Sequence, residues 1–365
     1  MKIAHLTSAH GRFDIRIFMK ECRSLVEAGH DVSLVVADGK GDQISEGVHI
    51  LDTGSAGSRI DRMVHSSRRV FKRARRLRAD VYHLHDPELI PWGLCLRALG
   101  AKVIFDAHED LPKQIKSKPY LSEWQKAVVS AAVQGGEALA FRMMSGLIGA
   151  TPSITKKLSA YAKRVEAINN FPLLGELEAP EKNPKRANEV CYVGGISWIR
   201  GCRELVSAMR LVTTDVVLNL VGPVQDASLR VDMKEDAGWS RVKEAGVVDR
   251  IGVRSIMARS RAGIVTFLPA PNHTEAQPNK MFEYMSAGLP VIASNFPLWR
   301  EVVEGSGCGL CVDPAKPEEI ARAIDWIIMN PVEAEAMGRR GQEATKNRYN
   351  WPNEAEKLVK FYTQI

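Results

Sequence analysis

The sequence predicts an α/β protein built from two doubly wound, Rossmann-like parallel-sheet domains. Three observations support this prediction. Short apolar runs alternate with helical segments, and repeated strand, helix, strand order produces right-handed crossovers and a parallel sheet. The length of 365 residues suits two domains of ordinary size. The segment FPLLGELEAPEKNPKRAN, residues 171–188, is rich in proline and charge without periodicity, so we expect it to be the interdomain linker.

The first domain, residues 1–170, begins with an apolar run and alternates regularly from there. Its strands are expected at Lys2–Thr7, Val32–Val36, Val81–His85, Lys102–Ala107, Gly146–Ala150 and Val165–Asn169. Helices are expected at about Ile15–Ala28, ended by Gly29, and at Tyr120–Met144, with a break at Gly135 and Gly136. Thr151 is expected to cap a helix that begins at Pro152.

The second domain, residues 189–348, repeats the pattern. Its strands are expected at Glu189–Val193, Val216–Val221, Gly263–Phe267, Val291–Ala293 and Gly309–Val312. Helices are expected at about Gly201–Met209, Glu318–Met329 and Glu333–Lys346. The remaining residues, 349–365, should form a last helix at Pro352–Tyr362.

The stretch EAQPNKMFEYMSAGLPVIAS, Glu275–Ser294, contains the clearest candidate binding site. Pro278 and Asn279 predict the start of a short helix, and Gly288 predicts its end. A helix start offers unpaired backbone N–H groups and the positive end of the helix dipole, which together suit an anion such as a diphosphate. Lys280 would add a full positive charge there.

Two carboxylates flank that helix start. Glu283 shares a helix face with Asn279 and Lys280, so it is placed to accept hydrogen bonds from a ribose diol. Glu275 lies in the preceding loop and could meet the sugar beyond the phosphates. Alternatively, Glu283 is an ordinary solvated helix residue and Glu275 an ordinary loop charge.

These features resemble the donor-site signature of the family 4 glycosyltransferases, which are retaining enzymes of the two-domain GT-B fold. The resemblance continues through LVEAGHDVSLVV, LHDPELIP, FDAHEDLP, YVGGISWIRG and the terminal YNW, in an order that spans essentially the whole chain. It implies two domains facing a central cleft, with the acceptor on the N-terminal side and the nucleotide sugar on the C-terminal side. It also implies that the last helix crosses back to the first domain.

The resemblance assigns roles to further residues. Gly11, in the loop after the first strand, would close over the donor phosphate, although this chain has His10, Gly11 and Arg12 where many members have paired glycines. His108 would contact the reacting sugar or the acceptor. In the second domain, Gly194, Gly195 and Arg200 would complete the diphosphate site, although Gly195 stands where members commonly have an arginine.

The histidines and cysteines give little sign of a metal. His85 and His108 are predicted at strand ends, where a histidine is more often packed and hydrogen-bonded, and neither has a cysteine or carboxylate at a metal-ligand spacing. Six scattered cysteines form neither a disulfide framework nor a zinc layout, and Cys308 and Cys311 are expected to be buried free thiols. We therefore expect no metal and no cofactor.

The net charge of +7 is concentrated in one segment, Ser66–Ala79, which carries seven Lys or Arg residues and no acid. Apolar residues recur at helical spacing there, so the segment predicts an amphipathic helix with a basic outer face. That face is either merely solvated or attached to an anionic membrane surface. Nucleic acid is disfavoured because no aromatic residues are interleaved. With no long apolar run and no secretion signal, we expect a cytoplasmic protein, peripheral on the inner membrane face if the helix attaches.

The predicted function is transfer of a sugar, with retention, from a nucleoside diphosphate sugar to a saccharide or lipid-linked acceptor in surface polysaccharide or lipopolysaccharide biosynthesis. Arg200, Lys280 and the helix start would stabilise the departing diphosphate, and Glu275 would orient the sugar. Two alternatives stay open: a nucleotide-sugar epimerase of the same fold and a non-catalytic nucleotide-sugar-binding protein. The donor sugar, the base and the acceptor are left undetermined.

Overall fold

The structure is a computed structural model that describes residues 1–116, 121–178 and 186–365. The chain divides into two compact units. The first contains Met1–Asn170 together with Trp351–Ile365, and the second contains Phe171–Asn350. Each unit is built on one sheet, so both have the α/β architecture that the alternating pattern predicts.

Most strands of the described residues coincide with apolar runs of the sequence. In chain order they are β1 Lys2–Leu6, β2 Asp31–Val36, β3 Gln43–Ser45, β4 Val48–Asp52, β5 Val81–Leu84, β6 Lys102–Ala107, β7 Gly146–Gly149, β8 Val165–Ala167, β9 Glu189–Val193, β10 Val217–Val221, β11 Val242–Gly246, β12 Ala262–Val265, β13 Val291–Ser294 and β14 Gly309–Val312.

The α-helices occupy the intervening segments. They are α1 Arg23–Glu27, α2 Arg59–Asp61, α3 Ser67–Leu77, α4 Ile90–Ala98, α5 Leu111–Lys116, α6 Glu123–Met143, α7 Pro152–Leu158, α8 Cys202–Met209, α9 Ala227–Glu235, α10 Arg250–Arg259, α11 Asn279–Ser286, α12 Pro297–Val303, α13 Pro317–Met329, α14 Pro331–Asn347 and α15 Trp351–Thr363. Ile17–Cys22 and Arg62–Ser66 are π-helical, and Pro87–Leu89, Trp198–Arg200 and Ala237–Arg241 are 3-10 turns.

The first unit has an eight-stranded sheet in the order β3-β4-β2-β1-β5-β6-β7-β8. Its strands run parallel except for the β3–β4 pair. The register sets His5 of β1 opposite His83 of β5. Because parallel strands end at one edge of the sheet, the residues after β1, β5 and β6 come together there.

The second unit has a six-stranded parallel sheet in the order β11-β10-β9-β12-β13-β14. From the central strand β9 the chain winds outward to β10 and β11 on one side and to β12, β13 and β14 on the other. The strand order therefore reverses between β9 and β12. In open α/β sheets, ligands bind outside the carboxyl ends of the strands at such a reversal.

Several predicted bounds agree with the structure, and one predicted feature is wrong. The strands β6, β9 and β14 have the predicted bounds, and the Thr151 hydroxyl accepts a hydrogen bond from the Ile154 N–H as a helix cap. The predicted break at Gly135 and Gly136 is wrong, because α6 runs through both. Two glycines cost a helix about 1 kcal/mol each, and burial of Ala140 and Phe141 offsets that cost. Tyr120, the predicted start of this helix, lies outside the described residues.

The described part of the expected linker packs on the second unit. Phe171 and Leu177 are only 5% and 1% exposed and belong to the core of that unit. The Phe171 ring meets the Phe282 ring edge-on at 4.7 Å between centroids. Residues 179–185 of the expected linker lie outside the described part of the chain.

The basic segment is helical, but its apolar face is only partly buried. Val70 and Ala74 of α3 are buried as predicted, whereas Ile60, Met63 and Val64 are 76%, 49% and 53% exposed. The apolar side of the predicted amphipathic helix is therefore buried at Val70 and Ala74, and the turns that precede α3 keep exposed apolar side chains.

Two further observations concern membrane-spanning helices and the cysteine thiols. Within residues 1–116, 121–178 and 186–365, no helix has the length and apolar character needed to cross a bilayer. All six cysteines are free thiols, and Cys308 is buried while Cys311 is half-buried. Burial raises the pKa of both thiols to about 12, so they are not reactive thiolates.

Candidate active site

The predicted diphosphate site lies at the strand reversal of the second unit. Gly194 follows β9 directly, and Thr266 follows β12, the next strand in the sheet. The loop after β12 leads into α11, which Pro278 precedes in extended backbone conformation. The start of α11 therefore belongs to the β12–α11 connection, which leaves the sheet at the edge where ligands bind.

Two cations meet beside Gly194. A side chain at this position would place its Cβ 3.4 Å from Nη1 of Arg200 and 3.8 Å from Cε of Lys280. Gly194 also has a φ of +153°, which few L side chains adopt. A glycine here leaves backbone and both cations open to an anion, so the structure brings Gly194, Arg200 and Lys280 together as predicted.

Local contacts fix the direction of Arg200. Its Nη1 donates to the Gly195 carbonyl at 3.2 Å, and its guanidinium lies over the Phe267 ring, 5.4 Å from the centroid. Gly201 follows with a φ of +67°, and a Cβ there would lie 2.0 Å from the Thr266 carbonyl oxygen. The chain must therefore pass close to the end of β12, which holds Arg200 at the sheet edge.

Gly195 lies within the same group of residues. A Cβ at Gly195 would lie 2.9 Å from Nε2 of Gln225 and 3.0 Å from Nη1 of Arg200. The amide of Gln225 thus lies close to the space that a longer side chain at Gly195 would enter. Nothing in the sequence pattern pointed to Gln225.

The loop before α11 is a folded turn. The Trp299 indole N–H donates to the Ala276 carbonyl at 2.7 Å, and His273 is buried with Nδ1 3.1 Å from the Leu268 carbonyl. Glu275 lies in this loop and is exposed. Asn279, the first residue of α11, is also exposed, so an anion can approach the start of the helix.

Glu283 is more enclosed than the sequence suggested. It is 7% exposed, and its carboxylate accepts hydrogen bonds from Lys280 Nζ at 2.8 Å and from Arg250 Nη1 at 3.0 Å. Burial would raise the pKa of Glu283, but the charges of Lys280 and Arg250 outweigh burial and hold this pKa below its ordinary value. Arg250 also pairs with Glu176 at 2.7 Å. Each Glu283 oxygen keeps a lone pair for a ligand hydroxyl.

In the first unit, contacts on both sides of Gly11 hold the loop after β1. Asp86 accepts hydrogen bonds from the Thr7 hydroxyl and from the Ser8 N–H. Arg12 is buried and forms a two-bond pair with Asp38, at 2.7 and 2.8 Å. Gly11 between them is exposed, with nothing within 4 Å of a Cβ built on it. The loop is therefore anchored at its ends and open at Gly11.

His108 belongs to a cluster of histidines and carboxylates at the ends of β5 and β6. Its Nε2 lies 3.0 Å from Asp106 Oδ2 and 3.3 Å from His85 Nδ1. His85 Nε2 lies 2.9 Å from His5 Nδ1. Arg16 donates two hydrogen bonds to Asp106, at 2.8 and 2.9 Å. The cluster extends further through Glu21, His83 and the Tyr362 hydroxyl.

The protonation of this cluster follows from its burial. Burial lowers the pKa of His5 and His83 well below the ordinary imidazole value, and it brings the pKa of His85 to about 4 against the opposing effect of Asp106. Burial, followed by the charge of Asp106, raises the pKa of Glu21 well above its ordinary value. At neutral pH the buried imidazoles are therefore neutral.

The cluster corrects one sequence-based conclusion. The spacing of residues along the chain indicates no carboxylate partner for His85 or His108. In the structure, an oxygen of Asp106 lies within 3.5 Å of a ring nitrogen of each. A signal was present in the sequence: Asp106 interrupts the apolar strand β6, and a buried carboxylate requires a partner. The pairing of β5 with β6, which brings His85 beside Asp106, could not be read from sequence spacing.

Family models match most of this chain. Residues 16–170 match the family described as "Glycosyl transferase 4-like domain", and residues 187–330 match the one described as "Glycosyl transferases group 1". The chain is a family 4 glycosyltransferase. Its two parallel-sheet units are those of the GT-B fold.

Individual relatives agree with this assignment. This glycosyltransferase is 25% identical over 299 residues to "Phosphatidyl-myo-inositol mannosyltransferase" of Mycobacterium leprae, a match that covers 78% of this chain and 74% of the relative. It is also 25% identical over 234 residues to "Lipopolysaccharide core biosynthesis glycosyltransferase LpsE" of Rhizobium meliloti, covering 62% of this chain and 65% of that one. These matches give no support to the epimerase alternative.

A solved structure shares the fold of this glycosyltransferase. The crystal structure of Anabaena HepE in complex with UDP-glucose superposes with a TM-score of 0.75 over 100% of both chains, at 15% identity. At that identity, the likeness establishes the fold.

Proposed function

We propose that this glycosyltransferase uses a nucleoside diphosphate sugar and transfers the sugar, with retention, to a saccharide or lipid-linked acceptor. The observation that carries the donor assignment is the meeting of Arg200 and Lys280 beside Gly194, where α11 begins. Two fixed cations and a helix N-terminus suit a diphosphate. The names of the relatives, which include a phosphatidyl-inositol mannosyltransferase and a lipopolysaccharide enzyme, support the acceptor class.

In this proposal, cationic groups stabilise the departing diphosphate, and carboxylates contact the ribose and the sugar. Sugar transfer builds negative charge on the departing diphosphate, and fixed donors stabilise that charge without reorganising. Arg200, Lys280 and the backbone N–H groups of the first turn of α11, which begins at Asn279 after Pro278, take this role, and no metal is required at the diphosphate. Glu283 contacts the ribose, and Glu275 orients the sugar. On the first unit, Gly11 lets the loop approach the donor phosphate, and His108 contacts the sugar or the acceptor.

A panel of UDP and GDP sugars tests the donor assignment by thermal shift. A bound donor stabilises the folded protein by about 2.7 kcal/mol at 100 times its dissociation constant. We expect one donor to raise the melting temperature and the Arg200→Ala variant to lose most of that shift. A panel without any shift would contradict the proposed donor site.

The role of Glu275 has its own test. The Glu275→Ala variant should abolish sugar transfer while nucleotide affinity stays within a few-fold of the wild type, because this carboxylate meets the sugar rather than the phosphates. Glu235→Ala, at an exposed carboxylate on the end of α9, is the matched control. Full activity in Glu275→Ala would show that the assigned role is wrong.

The same proposal includes peripheral binding of an anionic membrane by the basic segment. On α3, Arg69 donates to the Thr53 carbonyl and Arg73 pairs with Asp42, whereas Arg68, Lys72, Arg75 and Arg76 are exposed. Exposed Ile60 next to such cations is typical of helices that lie on a bilayer surface. Binding to vesicles containing anionic lipid should weaken with salt, since the Debye length falls from about 10 Å at 0.1 M to 3 Å at 1 M. Salt-independent binding, or none, would contradict it.

A further inference from the structure

Three donor atoms of the histidine–carboxylate cluster lie at mutual distances that suit one metal ion. His108 Nε2 is 3.0 Å from Asp106 Oδ2, His85 Nδ1 is 3.3 Å from His108 Nε2, and His85 Nδ1 is 3.5 Å from Asp106 Oδ2. Each residue offers one ligand atom of the right type to this triangle. Two imidazole nitrogens and a carboxylate oxygen form a donor set that zinc and related divalent ions accept.

The size of the triangle matches tetrahedral coordination. Zinc binds histidine nitrogen and carboxylate oxygen at about 2.0–2.1 Å, so neighbouring ligand atoms of a tetrahedral site are about 3.3 Å apart. The three separations of the triangle lie on both sides of that value. An ion about 2.0 Å from all three atoms would lie about 0.6 Å from their plane.

The backbone holds two of the three ligands rigidly. His85 and Asp106 come from the ends of adjacent parallel strands, β5 and β6, and both side chains are fully buried. His108 is two residues beyond Asp106, and its side chain is 19% exposed. The site is therefore closed on the side of the sheet and open at His108, which leaves a fourth position for water or a substrate oxygen.

A second layer of contacts supports the ligands. A metal on Nδ1 of His85 fixes the proton on Nε2, which then donates to His5 Nδ1 at 2.9 Å, the arrangement that metal-bound histidines require. Arg16 holds both oxygens of Asp106 and leaves Oδ2 a second lone pair. Glu21 lies behind the ligands, with Oε2 3.9 Å from His85 Nε2.

We propose that His85, Asp106 and His108 bind one divalent ion of the zinc class in the first unit, with one coordination position left open. The ion is separate from the diphosphate chemistry of the proposed function, which uses Arg200 and Lys280 of the second unit. Coordination through Nε2 of His108 leaves Nδ1–H as a donor toward the sugar or acceptor. In the competing interpretation the same atoms are only hydrogen-bonded, with His108 Nε2–H donating to Asp106.

The experiment measures metal directly, on the untagged full-length chain without donor or acceptor. Protein that has been treated with chelator and then dialysed against Zn²⁺ should contain one zinc ion per chain, as measured by inductively coupled plasma mass spectrometry. Titration of the chelated protein with Co²⁺ should produce the intense visible absorption of a four-coordinate site. Parallel titrations with Mn²⁺ and Fe²⁺ identify the preferred ion.

The His108→Ala variant removes a ligand at the partly exposed edge of the cluster, where the fold is least at risk. It should bind zinc at least about 100-fold more weakly, since loss of a second-layer contact alone costs 10–100-fold. His10→Ala is the matched control, because its ring centroid lies 5.4 Å from that of His108 while its ring nitrogens lie near Asp14 and Asp86. This control should keep wild-type affinity, and circular dichroism of both variants should match the wild type.

Three results would overturn the proposal. The first is substoichiometric zinc in the wild type after dialysis. The second is wild-type affinity in His108→Ala, and the third is equal loss in His10→Ala and His108→Ala. Because no sugar nucleotide is present, these results are independent of whether the proposed transfer reaction is correct.

Discussion

Arg250→Met should destabilise the second unit in a way that depends on pH. Arg250 joins two carboxylates, Glu283 through Nη1 at 3.0 Å and Glu176 through Nε at 2.8 Å. Methionine replaces the apolar stem of the arginine side chain but lacks the guanidinium, so both bonds are removed. The variant therefore measures how much the Arg250 guanidinium stabilises the second unit through its two carboxylate partners.

The two bonds contribute unequally. The Glu176 carboxylate is 27% exposed and Arg250 is 33% exposed, so this pair is screened and adds less than about 1 kcal/mol. Glu283 is buried, and a charged hydrogen bond to a buried carboxylate contributes about 1.5–3 kcal/mol. We expect a total loss of about 2–3 kcal/mol. For a unit of this size, each kcal/mol lowers the melting temperature by about 2–4 °C, so the expected decrease is about 4–12 °C.

The pH dependence follows from the lowered pKa of Glu283. A carboxylate whose pKa is lower in the folded state adds stability that is present above its unfolded pKa, about 4.3, and lost as the pH falls through its folded pKa. Arg250 contributes to that lowering. The difference between wild type and Arg250→Met should therefore be constant from pH 8 to 6 and shrink below about pH 4.3.

Urea denaturation between pH 8 and pH 3.5, monitored by tryptophan fluorescence, measures the difference in free energy of unfolding between the wild type and Arg250→Met. Arg254→Met is the control, because Arg254 lies one turn further along α10 and donates to the Glu178 carbonyl instead of to a carboxylate. It should cost less than Arg250→Met, with no dependence on pH. A difference for Arg250→Met that stays constant through pH 4 would refute the pairing of Arg250 with an ionised Glu283.

Two further predictions concern other parts of the two units. Gly201→Ala should lower stability by about 2–3 kcal/mol, since left-handed backbone costs a non-glycine residue about 1–2 kcal/mol and the new Cβ meets the Thr266 carbonyl. Gly246→Ala, with φ +66° and nothing within 4 Å of its Cβ, should show the backbone cost alone, and equal losses would contradict the close approach. Tyr362→Phe should lower the stability of the first unit by about 1–3 kcal/mol in urea denaturation, because its hydroxyl bonds buried His83 at 2.7 Å; unchanged stability would contradict that bond.

Local signals account for what the sequence predicted well. Pro278 and Gly288 mark the ends of α11 by turn chemistry that acts within a few residues, and Gly288 has the expected left-handed φ of +70°. The strand Gly309–Val312 is a continuous apolar run that polar Asp313 follows. Each of these patterns can be read without knowing which strands pair.

Contacts between distant residues account for what was missed. Arg250 donates to Glu283 from 33 positions earlier in the chain, and no local sequence pattern predicts that contact. His5 and His85 meet across 80 positions because β1 and β5 are neighbours in the sheet, and no periodicity reveals that order. The short strands Gln43–Ser45 and Val242–Gly246 were also not predicted from the sequence, because they lack an apolar run. Their mixture of polar and apolar residues is typical of strands at a sheet edge.

The connectivity of the first unit has a consequence for synthesis on the ribosome. In its last helix, Trp351–Thr363, the Trp351 indole N–H donates to the Ser24 hydroxyl and the Glu354 carboxylate accepts from the Asn169 N–H. A nascent chain lacks these bonds until residues 351–363 have left the ribosome. The second unit is continuous from Phe171 to Asn350 and can mature earlier. A nascent chain that stops before Trp351 should therefore contain all residues of the second unit while the first unit still lacks its last helix.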